Sequence, residues 1–95
     1  MLFAALIDYT PDASKIAAAR PAHRVYLKTL LDTGRLAVSG PFFDDRGGLL
    51  VYAAATAEEA ETLLRDDPFT HAGVFVSWTI RPWKIIMVNP KLFEA

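Results

Sequence analysis

The sequence predicts an α+β domain with a four-stranded antiparallel sheet. Four short apolar runs are separated by two segments of helical pattern, in the order β-α-β-β-α-β. The 95-residue chain is 53% hydrophobic and 22% charged, which suits one globular domain spanning residues 1–95. A net charge of −1 argues against partners such as nucleic acid or a membrane surface. The absence of cysteine excludes disulfides and a thiol nucleophile, and a reducing cytoplasm is the expected location.

The first strand is predicted at residues 2–9, where an apolar run ends at Asp8-Tyr9-Thr10-Pro11. Odd and even positions of this run are both apolar, which indicates a strand buried on both faces. Asp8 at its end is a turn former or a polar residue lining a site. The other strands are predicted at residues 35–41 and 49–55, which form an antiparallel hairpin, at 74–80, and at 84–88 after a bend at 81–83.

The first main helix is predicted to begin at Pro21, because proline suits the first helical turn and disrupts a helix interior. Residues 11–19 then form at most a separate helical turn, capped by Asp12 or Ser14. Gly34 is placed to end the main helix in a left-handed conformation.

The second helix begins with Thr56-Ala57-Glu58-Glu59, the pattern of a capping box. Asp66-Asp67-Pro68 ends it, because the residue before a proline avoids the helical region. Residues 69–73 are then expected to be a connector.

This order of elements is the ferredoxin-like plan, with both helices on one face of the sheet. The strands carry apolar side chains for both faces, yet the chain has no further helix for the second face. A second copy packed sheet to sheet is the simplest cover, so we expect a homodimer or an assembly of dimers. The apolar segments 85–88 and 92–93 are candidates for additional contacts between subunits.

An ordered set of short motifs resembles the YciI-like (YCII-related domain) family, and the match extends from about the first strand to Trp83. The motif residues that this chain shares with the family are the family's generic ones, and none of them marks a particular branch. The matching pieces are Arg20-Pro21-Ala22-His23, Leu27, Gly34-Arg35-Leu36, Ser39-Gly40-Pro41, Glu59-Ala60, Asp67-Pro68-Phe69 and Trp83.

This resemblance implies a dimeric α/β-barrel built from ferredoxin-like protomers. It also implies a pocket centred on a histidine and an aspartate, which correspond here to His23 and Asp67. One characterised branch of the family is similar to chloromuconolactone dehalogenases of aromatic degradation.

A pairing of His23 with Asp67 also follows from the predicted topology. If the two helices lie antiparallel, the start of the first and the end of the second meet at one end of the domain. The Asp67 carboxylate would then hold one ring nitrogen of His23 and leave the other to accept a proton. The helix N-terminus would disfavour charge on His23, whereas the carboxylate would favour it. Taken singly, each residue also suits a purely structural role.

Further candidate ligand contacts are Arg20 for a carboxylate, Ser39 as a donor, and Tyr9 and Phe69 as lining. Such a lining favours a small organic anion over a sugar or a nucleotide. His71 lies near Asp67 in the sequence, but no cluster of ligands accompanies it, so we predict no metal. The sequence contains no phosphate-binding glycine loop, so we predict no cofactor.

Two classes of function remain open from the sequence. The first is an enzyme that uses His23 and Asp67 for general acid–base chemistry: proton abstraction, isomerisation or elimination on a small organic acid or lactone. The second is a non-catalytic module for ligand binding or assembly. Related barrels that act as cofactor-independent monooxygenases offer a third possibility, by fold analogy alone.

Overall fold

A computed structural model describes residues 1–93 and confirms the β-α-β-β-α-β plan. The strands are β1 (Leu2–Tyr9), β2 (Leu36–Pro41), β3 (Gly47–Ala53) and β4 (Phe75–Trp83). The helices are α1 (Ala13–Asp32), α2 (Ala57–Arg65) and α3 (Pro68–His71), followed by a 3₁₀ turn at Pro90–Phe93. All strand pairs are antiparallel, and their order across the sheet is β2-β3-β1-β4. The predicted hairpin of β2 and β3 is confirmed, with β3 two residues earlier than expected.

Helix α1 is continuous through Pro21, so the predicted helix start at Pro21 is wrong. The helix begins eight residues earlier, where the Asp12 side chain accepts hydrogen bonds from the N–H groups of Ser14 and Lys15. Proline removes the hydrogen bond to the carbonyl of Ala17, and its ring crowds that carbonyl. Ala17 and Pro21 are both exposed, so water can reach that carbonyl. The Asp12 cap and the hydration of the Ala17 carbonyl together explain why the helix does not break at Pro21.

The predicted end of α1 at Gly34 is confirmed. Gly34 has a φ of +74°, and the N–H of Arg35 donates to the carbonyl of Leu30 at 2.8 Å. Together with the bond from Gly34 N–H to Leu31, this is a Schellman motif, which uses a left-handed residue to satisfy the last carbonyls of a helix. The motif turns the chain directly into β2.

The capping residue of α2 is Thr56, as predicted. Its hydroxyl accepts from the N–H of Glu59 at 3.1 Å, whereas the Glu59 carboxylate accepts from the N–H of Ala55. The reciprocal bond therefore lies one residue earlier than in a standard capping box.

Residues 69–73 are not the connector that the sequence suggested, because α3 occupies Pro68–His71. Asp67 has extended backbone angles, as expected before a proline, and its side chain caps α3 by accepting from the N–H of Phe69. Pro68 occupies the first helical turn, where its missing N–H is tolerated. This short helix places Asp67 and Phe69 against α1.

Strand β4 continues through the predicted bend to Trp83, and the predicted fifth strand at residues 84–88 is wrong. Pro82 is tolerated because β4 is an edge strand that pairs only with β1. Trp83 lies opposite Leu2, the first residue of β1, so the chain beyond Trp83 has no neighbouring strand in this sheet.

The sheet has one buried face and one open face within a single chain. Phe3, Ala5, Ile7 and Tyr9 of β1 lie in the core beneath the helices. On the opposite side, Leu6 is 52% exposed. The prediction that β1 is buried on both faces is therefore wrong for the single chain, since no described element covers the second face.

Candidate active site

A buried ion-pair geometry joins α1 to the start of α3. Nδ1 of His23 lies 2.7 Å from Oδ1 of Asp67, and the side chains retain 9% and 0% of their exposure. The same Oδ1 accepts the N–H of Phe69 at 2.8 Å. Because a carboxylate oxygen accepts hydrogen bonds, the proton of the first bond lies on Nδ1. The helix cap of α3 thus also orients the imidazole ring.

The His23 ring is fixed on its flat side as well. It stacks on Phe69, with ring centroids 3.8 Å apart and planes at 8°. Phe75 meets its edge at 5.8 Å. Within residues 1–93, Nε2 has no hydrogen-bond partner, and the ring lines a cavity. In the neutral ring, Nε2 therefore presents a free lone pair to that cavity.

The cavity has a volume of about 250 Å³ and lies between α1 and the β2–β3 side of the sheet. Ligand sites usually measure roughly 300–1,000 Å³, so this cavity suits a small, single-ring molecule. Asp67 does not line the cavity; it is fully buried behind the wall, where it contacts His23. The other five predicted site residues line the cavity directly: Tyr9, Arg20, His23, Ser39 and Phe69.

Two arginines give the cavity a positive rim. Arg20 and Arg24 are one helical turn apart on α1, and both line the cavity. Nη2 of Arg20 contacts the Asp45 carboxylate at 3.2 Å, while its other N–H donors make no such contact. Arg24 makes no ion pair with any residue that the structure describes. The rim therefore suits an anionic group, which guanidinium donors bind well.

Sequence reasoning missed several residues of this cavity. Arg24 has the same helix face as Arg20, and its i+4 spacing was the available signal. No local signal identified Leu50 and Pro41, because the register of the hairpin decides which of its residues face the cavity. His71 is exposed at the end of α3 and does not line the cavity.

The predicted reason for the pairing of His23 and Asp67 is wrong, although the two residues do meet. His23 lies ten residues after Ala13, the first residue of α1, so it is not at the start of the helix as the prediction required. For the same reason, the helix N-terminus is too far away to disfavour a positive charge on the ring. The pairing instead comes from the packing of α3 on the middle of α1.

Two kinds of feature are not found among residues 1–93. No group of three or more histidine, cysteine, aspartate or glutamate side chains is arranged to hold a metal ion. No helix in this range has the length and apolar character needed to cross a membrane.

Comparison with known proteins places this geometry in context. No curated protein sequence matches the chain. Among solved structures, it is similar to 5-chloro-2-hydroxyhydroquinone dehydrochlorinase (TftG) from Burkholderia phenoliruptrix AC1100, in complex with 2,5-dihydroxybenzoquinone. The TM-score is 0.77 at 29% sequence identity, over 88% of this chain and 94% of that chain. The sequence model of the YCII-related domain matches residues 1–84. Since that match spans most of the chain and includes both His23 and Asp67, this protein belongs to the YCII-related domain family.

Proposed function

We propose that the protein is a small enzyme in which His23 acts as a general base, oriented by Asp67. Its reaction would be an elimination, an isomerisation or a related proton abstraction on a small organic anion. The observation that carries this proposal is the 2.7 Å contact between two buried side chains at the wall of a cavity. A histidine held in this way is fixed in one tautomer, and only its Nε2 can accept a proton from a ligand.

The chemistry follows from the roles of the two ring nitrogens. Nδ1–H is held by the carboxylate, so a proton taken from the ligand is bound at Nε2. The imidazolium formed is then stabilised by Asp67, which lies in a water-excluded environment. In an elimination, the electron pair of the broken bond to hydrogen forms a double bond, and the leaving group departs with its own bonding pair.

The cavity favours an acidic, single-ring ligand. Arg20 and Arg24 attract negative charge, while Phe69 and Leu27 supply apolar walls. The related dehydrochlorinase binds a dihydroxyquinone, a molecule of this size and acidity. We therefore include hydroxylated quinones with organic acids and lactones as candidate substrates.

Chloride release from 5-chloro-2-hydroxyhydroquinone tests the proposal directly. The wild type is expected to release chloride, and His23→Gln to reduce the rate by roughly 10²–10⁴-fold, the usual range for general acid–base catalysis. His71→Gln is the matched control, because His71 is the other histidine of the chain and lies outside the cavity. Equal rates for wild type and His23→Gln would refute the role of His23.

The same measurements separate catalysis from simple ligand binding. If the wild type binds the chlorinated substrate by calorimetry but never converts it or its analogues, the non-catalytic binding module is the better account. Neither binding nor conversion across acids, lactones and hydroxyquinones would refute the proposed ligand class.

We also propose that a second copy covers the open face of the sheet, giving a homodimer. This face carries Leu2, Ala4 and Leu6 of β1, with Trp83 beside Leu2. Leu6 and Trp83 are large, apolar and about half exposed, which supports burial against a partner. Sedimentation velocity is expected to show a dimer for wild type and for Val25→Asp on the outer side of α1, but a monomer for Leu6→Asp. A monomeric wild type at micromolar concentration would contradict the proposal.

We also propose the extent of the domain and the location of the protein in the cell. The chain is proposed to form one domain over residues 1–95, of which 94–95 lie outside the described residues, so limited proteolysis of the dimer should leave the chain intact. The cytoplasm is the proposed location, since a cysteine-free chain folds without an oxidising compartment, and cell fractionation tests it.

A further inference from the structure

Tyr9 shares the aromatic packing that holds His23. Its ring meets Phe69 edge-on at 5.7 Å and stacks on Phe75 at 5.8 Å. The same two phenylalanines contact the His23 ring, and both Tyr9 and His23 line the cavity. The position of Tyr9 relative to the proposed base is therefore set by common neighbours.

The hydroxyl of Tyr9 is available for a ligand. It makes no hydrogen bond to any residue of the described chain, whereas the hydroxyl of Tyr26 donates to the carbonyl of Leu63 at 2.6 Å. It is also not among the buried polar atoms that lack a partner, which are Tyr52 Oη and Asp67 Oδ2. The hydroxyl is therefore not enclosed, and Tyr9 lines both the cavity beside His23 and a second cavity beside Asp44, Asp45 and Arg46.

Gly48 on β3 makes room for this hydroxyl. A Cβ atom placed on Gly48 would lie 2.8 Å from Tyr9 Oη and 2.9 Å from the carbonyl oxygen of Gly40. Gly40 and Pro41, which flank the same point, both line the cavity. Any side chain at position 48 would displace the hydroxyl from this place, so the glycine has a steric role there.

The Tyr9 hydroxyl stays protonated at neutral pH, since its pKa is shifted upward from the ordinary tyrosine value. Burial raises the pKa of Tyr9, and the carboxylates of Asp45 and Asp67 add to this effect. Arg20 acts in the opposite direction without reversing the shift. A protonated phenol donates a hydrogen bond, which suits an oxygen that is negative or becomes negative during reaction.

Building on the proposed function, we propose that Tyr9 is a ligand-contacting residue that donates a hydrogen bond to a ligand oxygen, and that Gly48 is the positioning residue for this contact. The ligand class is then narrowed to molecules whose ring bears a phenolate, enolate or quinone oxygen. His23 receives the proton, and Tyr9 stabilises the negative oxygen of the same ligand.

Calorimetric titration with 2,5-dihydroxybenzoquinone tests this inference. Tyr9→Phe keeps the ring and removes only the hydroxyl, and is expected to weaken binding roughly 10- to 100-fold, as for a hydrogen bond to a charged group. Gly48→Ala should weaken binding as well, but by less in the Tyr9→Phe background, because only the contact of its Cβ with the Gly40 carbonyl then remains. Tyr26→Phe is the control, since its hydroxyl bonds to Leu63 outside the cavity and its loss should leave binding unchanged.

The outcomes distinguish this inference from the proposed function. If the wild type binds the quinone, His23→Gln weakens binding and Tyr9→Phe does not, the role of Tyr9 is overturned and the proposed function stands. Equal effects of Gly48→Ala in both backgrounds would overturn the positioning role of Gly48. A wild type that does not bind the quinone overturns the hydroxyquinone ligand class and the inference together. The Tyr9→Phe arm decides the central point even if Gly48→Ala fails to fold.

Discussion

Removing His23 and Asp67 separately and together should show a strong energetic coupling between them. Asp67 is fully buried, and its Oδ1 accepts two hydrogen bonds while its Oδ2 accepts none. In His23→Ala, the carboxylate keeps only the N–H of Phe69 as a donor. Breaking a buried pair by removing one partner costs about 3–5 kcal/mol, because the remaining charge is left uncompensated. Loss of the ring stack on Phe69 contributes about 0.5–1.5 kcal/mol of that range.

The single change Asp67→Ala leaves two donors without an acceptor. These are Nδ1–H of His23 and the backbone N–H of Phe69, and each unsatisfied buried group costs about 1–3 kcal/mol. In the double variant, only the Phe69 N–H remains unsatisfied. The double variant also has no uncompensated carboxylate, so it avoids roughly 2–4 kcal/mol of the cost of His23→Ala as well as the cost of about 1–3 kcal/mol for the unsatisfied Nδ1–H. The free energy of unfolding should therefore fall by at least about 3 kcal/mol less than the sum of the single changes.

Urea unfolding followed by circular dichroism measures this coupling at one protein concentration, so that the contribution of assembly to stability is the same for every variant. The exposed pair Lys28–Asp32 is the matched control, because its 2.6 Å contact is equally short but both side chains are more than half exposed. Its coupling should be about 0.3–0.5 kcal/mol. A coupling between His23 and Asp67 no larger than that of the control pair would refute the argument that burial makes their contact strong.

The other predictions concern local structure and use the same unfolding assay. Pro21→Ala should raise the free energy of unfolding by about 1–2 kcal/mol, because it restores a hydrogen bond inside α1; a decrease would contradict the continuous helix. Gly34→Ala should lower it by about 1–2 kcal/mol, since its φ of +74° strains a side chain, and an unchanged value would count against the Schellman motif. Thr56→Ala should lower it by about 1 kcal/mol through loss of the α2 cap, and Thr56→Ser should restore most of that loss.

Local signals account for the elements that the sequence predicted well. The apolar run of β1, the capping residue Thr56 and the left-handed Gly34 each depend on neighbours within a few residues. The predicted helix start at Pro21 is wrong because the preference of proline for a first turn is weaker than the combined effect of the Asp12 cap and the packing of a long helix. The segment 84–88 has strand-like composition but lacks a neighbouring strand with which to pair.

Some residues of the candidate site were also predictable from the sequence, whereas the contacts between them depend on the tertiary structure. His23 and Asp67 were predicted together from the resemblance and the order of elements, yet the contact depends on α3, a four-residue helix that was expected to be a connector. Arg24 was visible in principle from its spacing to Arg20, whereas the proximity of Gly48 to the Tyr9 hydroxyl was not. That proximity depends on the register of β1 against β3, which is a long-range property.

The sequence by itself determined the fold class, the family and half of the residues around the cavity, because apolar periodicity, caps and short motifs are local and act without distant partners. Only the tertiary structure decided which ring nitrogen of His23 is held, which side of Asp67 is bonded and where the Tyr9 hydroxyl lies. Those features arise where α1, α3 and the hairpin meet, and atoms distant in sequence approach there to within hydrogen-bond distance.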